Sequence, residues 1–145
     1  MANPNTPQGT LNRLKSSLVI PNLPQLNVTA SFLDRDGIGI AFSGQTTLLL
    51  PTMTGTVTSP EPFIMSTIMV RLLRTQQLSD LYKQQWETNS LLGDITARPD
   101  STTLSPFQIL NCAIETVGEL VFNGQSAGFG VQLAGYYPVN NSLWD

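Results

Sequence analysis

Two acidic pairs are the residues of this sequence best placed to do chemistry. Asp34 and Asp36, in Asp-Arg-Asp-Gly, stand at the spacing that opens a calcium loop, where alternate carboxylates converge on one cation. The third acidic position is missing and Gln45 stands where a bidentate glutamate would close the shell, so the segment reads as a tight turn. Glu115 and Glu119 share strand parity, and two carboxylates on one face can divide the roles of acid and base. No aromatic or polar cluster that could grip a substrate accompanies them, and a solvated strand face is the simpler reading. Gly124, Gly128 and Gly130 lack the order and the following helix of a dinucleotide site, so they mark a hairpin turn. Cys112, alone in the apolar Gln-Ile-Leu-Asn-Cys-Ala-Ile-Glu, reads as a small buried hydrophobe. The sequence has no histidine, so it has no imidazole base, no Ser-His-Asp or Cys-His arrangement and no histidine-containing zinc site. Neither a catalytic set, nor a cofactor, nor a metal site is expected.

The elements that carry these residues read mostly as strands. SLVI at 17–20 and LNVTASFL at 26–33 flank two proline breaks, and DRDG at 34–37 is a turn signal. IGIAF at 38–42 and TTLLL at 46–50 read as the two arms of one hairpin about Ser43 and Gly44, with MTGTVTS at 53–59 beginning another strand. In PFIMSTIMVRLLR both period-two faces are apolar: Ile64, Ile68, Val70 and Leu72 on one, Phe63, Met65, Met69 and Leu73 on the other. Such a strand is buried on both sides, between layers or at a subunit contact. Leu78, Leu81, Tyr82 and Trp86 then fall on one stripe of an amphipathic helix over Gln76–Glu87, with Thr75 as its cap. The last third reads as two further strands, FQILNCAIETVGELVF and FGVQLAGYYPV, joined by a glycine-containing turn.

Charge is scarce throughout. Charged residues make up 12% of the 145, against roughly 25% in typical soluble domains. Two long stretches, Gly37–Pro60 and Leu120–Trp144, carry no charge at all. Obligate interfaces deplete charge in this way, which points to a self-assembling subunit whose neighbours cover the apolar surface. A net charge of −3 with seven scattered basic residues argues against tight nucleic-acid binding. No stretch has the form of a signal peptide or a membrane span, so the chain is expected in the cytoplasm when made. Residues 1–16 are polar, contain two prolines and read as an arm ordered by a neighbour; residues 17–145 read as a single domain.

RLLRTQQLSDLYKQQ, LSPFQILNCAIE and AGYYPVNNSLWD, in that order, resemble the tail tube protein of contractile-tailed bacteriophages, and weaker likeness extends over nearly the whole chain. The resemblance implies a mainly β, α+β fold: two antiparallel sheets packed as a sandwich or partial barrel with one flanking helix, similar to the tube protein of type VI secretion. It implies hexameric rings stacked into a hollow tube that guides a tape measure protein and conducts DNA, without binding it specifically, when the sheath contracts. Partners would be further copies, the tail sheath protein, the tape measure protein, and baseplate and tail terminator proteins, with no membrane. The location would be the virion tail, after assembly in the host bacterial cytoplasm. On this basis Ile38, Ile40, Phe42, Leu48, Leu49 and Leu50 are expected in a hairpin that reaches an adjacent ring. Glu115 and Glu119 are expected at the lumen, and Asp80, Lys83 and Glu87 on the helix face toward the sheath. A tube initiator or terminator, or a monomeric β-sandwich binding module, is the alternative.

Overall fold

The strand that is apolar on both faces is the spine of the molecule. In the computed structural model, which describes residues 5–144, this strand runs Phe63–Leu73. Numbered in chain order, the strands are β1 (Ser17–Val19), β2 (Leu33–Ser43), β3 (Thr47–Pro51), β4 (Thr56–Pro60), β5 (Phe63–Leu73), β6 (Leu91–Arg98), β7 (Phe107–Val117) and β8 (Gly128–Pro138). The single α-helix, α1, spans Gln77–Thr88. Six strands form one antiparallel sheet in the order β1-β6-β7-β8-β5-β2, and β3 and β4 form a separate two-stranded sheet. The molecule is thus mainly β with one helix.

The large sheet curls into a partial barrel. Phe42 on β2 and Phe107 on β7 have ring centroids 5.9 Å apart although β8 and β5 separate their strands in the sheet, and Tyr137 completes the cluster at 5.5 and 5.7 Å. Strand twist brings the sheet's margins together in this way. The concave side holds the core: Ile68, Val70 and Leu72 of β5 lie opposite Leu133, Val131 and Phe129 of β8, and Ile95, Ile109 and Ile114 continue it across β6 and β7. Leu18, Ile20, Leu26 and Val28 close it from the N-terminal side, and Leu78 and Tyr82 of α1 press down on it. The buried phenol of Tyr82 donates to the Leu26 carbonyl at 2.7 Å, so this buried polar group is satisfied.

Several local expectations change. LNVTASFL forms no strand: Pro24 lacks an N–H and starts one short 3-10 turn, Ala30–Phe32 forms another, and only Leu18 and Val28 bridge. Asp34–Gly37 is not a turn between strands but a wide bulge within β2, where the register jumps from Leu33↔Leu72 to Ile38↔Val70 and Gly37 takes φ +66°. The helix begins one residue later than expected, after Gln76, and Thr75 does not cap it; the Ser79 hydroxyl bonds instead to the Leu73 carbonyl. β7 ends at Val117, so GELVF belongs to a loop rather than a strand. Within the arm, residues 5–16 contain no helix or strand and lie against the loop after β6, where Asn12 N–H donates to the Asp100 carbonyl at 2.9 Å. Residues 1–4 of the arm, and Asp145, fall outside the described residues.

Candidate assembly surface

The expected hairpin from Ile38 to Leu50 does not exist as one unit. Ile38, Ile40 and Phe42 belong to β2 and pair with Val70, Ile68 and Ser66 of β5. They face the inside of the curl, where Ile38 and Ile40 border a cavity of about 220 Å³ with Ala97 and Phe107. Leu48, Leu49 and Leu50 belong to β3 and pair with Ser59, Thr58 and Val57 of β4. The sequence misleads here because Gly44 at φ +90° opens the chain out of the large sheet, and the tight turn that reverses it comes later, at Thr52–Gly55. That turn is closed by Thr52 N–H to the Gly55 carbonyl at 2.7 Å and by Gly55 N–H to the Thr52 hydroxyl at 3.1 Å.

The β3–β4 hairpin is the most exposed apolar feature among the described residues. Leu48, Leu50 and Val57 share one face and Leu49, 59% exposed, lies on the other; Met53 at the tip is wholly in solvent. Beyond its partner strand, neither arm has substantial packing against another element. A lone two-stranded hairpin is marginal in water, and one that is apolar on both faces gains on the order of 1 kcal/mol for each half-exposed side chain it can bury elsewhere. Its root is fixed: Asn140, at φ +56°, donates its side-chain amide to the carbonyls of Thr46 and Glu61 at 3.2 and 2.9 Å.

The second open surface is the outer face of the large sheet. β5 places Phe63, Met65, Thr67, Met69 and Arg71 there, opposite Pro138, Tyr136, Ala134, Gln132 and Gly130 of β8. β2 adds Gly39, Ala41 and Ser43. Phe63 and Met65 are about half exposed, and the Phe63 ring meets Tyr136 edge-on at 5.4 Å. β5 is therefore fully buried on one face only, and its other apolar face stays partly open.

The two glutamates part company. Glu115 is exposed on β7 and accepts a bond from the Gln132 amide at 3.4 Å, which sets it beside the outer sheet face. Glu119 lies in the loop after β7, so the shared strand parity does not hold. On α1, Asp80, Lys83 and Glu87 are all exposed; Lys83 and Glu87 pair at 2.7 Å, and Gln84 bonds Asp80 at 2.9 Å. The Glu87 carboxylate holds the Lys83 ammonium above its ordinary range. Trp86, at the end of the helix stripe, is exposed.

Cys112 is buried, and desolvation, aided by Asp94, pushes its thiol up to about 12, so the nucleophilic thiolate is scarce at neutral pH. Among the described residues no three of His, Cys, Asp and Glu gather as a metal site would require. A larger cavity of about 430 Å³ is an open trough with charges of both signs, Arg13, Arg35, Asp34, Asp36 and Asp100. Among the described residues no helix is long and apolar enough to cross a membrane.

The arrangement of a curled antiparallel sheet with one helix is found in chains of gene transfer agent particles. The fold is shared with a chain in the virion of a native gene transfer agent particle, at 12% identity over 88% of this chain and 95% of that one, with a TM-score of 0.53. It is shared equally with a chain in the tail of an empty gene transfer agent particle of C6 symmetry, at 13% identity, 88% and 96% coverage and a TM-score of 0.54. No protein-family model matches the sequence, and no curated protein does.

The sequence missed the exposed pair Val121 and Phe122, hidden in a segment taken for strand. Their signal was the run from Glu119 to Gly124, where an apolar triplet ends directly at Asn-Gly, a turn pair.

Proposed function

We propose that this chain is the repeating structural subunit of a tail tube, in which six copies close into a ring and rings stack into a hollow cylinder. The observation that carries this reading is the shared fold, over 88% of the chain, with a chain of a C6-symmetric tail. It is supported by apolar surface that one copy cannot bury, that of the β3–β4 hairpin. A neighbour that covers the hairpin also accounts for the absence of charge there.

In this account the hairpin, with Leu48, Leu49 and Leu50, reaches the adjacent ring. Ile38, Ile40 and Phe42 hold the barrel together behind it. The outer face of β7, β8, β5 and β2 lines the lumen. Glu115 is on that face, but so is Arg71, so the wall is near neutral; either character lets DNA slide without specific binding. Glu119 lies at the rim. Asp80, Lys83 and Glu87 on α1 face the tail sheath protein. The tube guides the tape measure protein, abuts baseplate and tail terminator proteins, and conducts DNA when the sheath contracts. It acts in the virion tail, after assembly in the host cytoplasm, and its role is mechanical rather than enzymatic.

Sedimentation across a concentration series tests the ring. A species of six times the subunit mass, growing into larger multiples, is expected; a monomer at every concentration overturns the reading. Hexamers that never lengthen indicate a tube initiator or terminator instead.

A further inference from the structure

The loop 118–127, between β7 and β8, is tied down at both ends. Gly118 N–H donates to the Gly130 carbonyl and Arg74 N–H to the Ala127 carbonyl, both at 2.8 Å. The Arg74 guanidinium bonds the carbonyls of Gly128, at 3.2 Å, and Ser126. Inside the loop the Asn123 side-chain oxygen accepts from Gln125 N–H at 2.9 Å and Ser126 N–H at 3.2 Å. This fixed loop nevertheless presents Phe122 at 79% exposure, with Val121 exposed beside it. The Phe122 ring is met from within the chain by the Arg74 guanidinium, 5.5 Å from its centroid. An exposed phenylalanine beside an exposed valine is apolar surface that a partner would take out of water.

The topology indicates which partner. β3–β4 leaves the sheet after Ser43 and returns at Phe63, whereas the 118–127 loop joins Val117 to Gly128. The β5–β8 ladder runs from Phe63↔Pro138 to Leu73↔Gly128, so the roots of hairpin and loop lie at opposite ends of a ladder about 33 Å long. Both surfaces are apolar. The hairpin strands carry no charge, and in the loop only Glu119, at its start, is charged, so their contact strips water from few ions. Two unlike, complementary patches at opposite ends of one molecule make a heterologous contact that repeats without closing.

We infer that the 118–127 loop, with Phe122 at its centre, is the socket that receives the β3–β4 hairpin of a second copy, stacking copies head to tail. This rests on the tube reading, in which copies of the chain lie end to end.

Disulfide capture in the full chain tests it. A variant carrying both M53C and Q125C, assembled and mildly oxidised, is expected to give a ladder of covalent multimers on denaturing gels, and neither single variant to give any. Dimers from M53C alone would mean that hairpins meet each other, and tubes of the double variant without a ladder would mean that the hairpin seats elsewhere. Each overturns the socket while leaving the tube intact. Wild-type protein that forms no rings or tubes overturns the tube reading, and the socket falls with it. As a second variant, F122D is expected to keep the wild-type melting temperature and form rings but lose tubes; tubes of full length from F122D would overturn the inference.

Discussion

Cys112 and Gly135 show how closely the core is fitted at the scale of single residues. A methyl group on Gly135 would stand 2.7 Å from the Cys112 sulfur and 2.8 Å from both the Ile109 side chain and the Leu110 carbonyl. The glycine exists to let β8 pass this crowded stretch of β7. Asn111, in the left-handed region at φ +52°, makes the accompanying bulge, and its N–H is taken by the Asp94 carboxylate at 3.2 Å. Enclosure has a titratable consequence. The buried thiol holds its proton up to about pH 12, whereas an unfolded cysteine loses it near 9. Below pH 9 both states are protonated and stability is unaffected; between 9 and 12 only the unfolded chain ionises, so stability falls as pH rises. The melting temperature is expected to decline from pH 8 to 10, a window chosen to stay at or below the ordinary range of tyrosine, and C112A should flatten that decline. An equal slope in wild type and C112A would show that the thiol is not the cause.

Elements carry the next prediction. Because β3 and β4 pack on little but each other, replacing Leu48 and Leu50 together by serine removes apolar surface that is already half in water, and the subunit's stability should change by no more than about 0.5 kcal/mol. Assembly, read by light scattering, should be lost. Unfolding of the double variant in a thermal melt would mean that the hairpin belongs to the core. The sequence made β5, α1 and β8 legible because each has unbroken periodicity over three turns or eleven residues, and burial follows that period. It hid what depends on distant partners. Nothing near Ile38 says that β2 pairs with β5 rather than with the nearer TTLLL, since both are apolar and a glycine lies between them. Nor could strand parity reveal the bulges in β7 that change which side chains face outward, or the end of β7 at Val117 that strands Glu119 in a loop. Of the residues named on the resemblance, Leu48, Leu49, Leu50, Asp80, Lys83 and Glu87 are exposed, whereas Ile38 and Ile40 turn inward, which no residue near them signals.

The whole molecule is a polar object in the geometric sense: a curled sheet about one long strand in height, with an apolar hairpin rooted at one end, an apolar loop at the other, and an open outer face between. A single copy leaves all three in water. Repetition around a six-fold axis and along it gives the hairpin and the loop a partner and turns the outer face to a shared channel, which is the account's central claim, and it explains why a chain of 145 residues has so few charges. Negative-stain electron microscopy of the purified full chain at rising concentration tests that claim most directly. Rings with a central channel, stacking into tubes of uniform width, are the predicted result; a field of separate monomers at the highest concentration would contradict it.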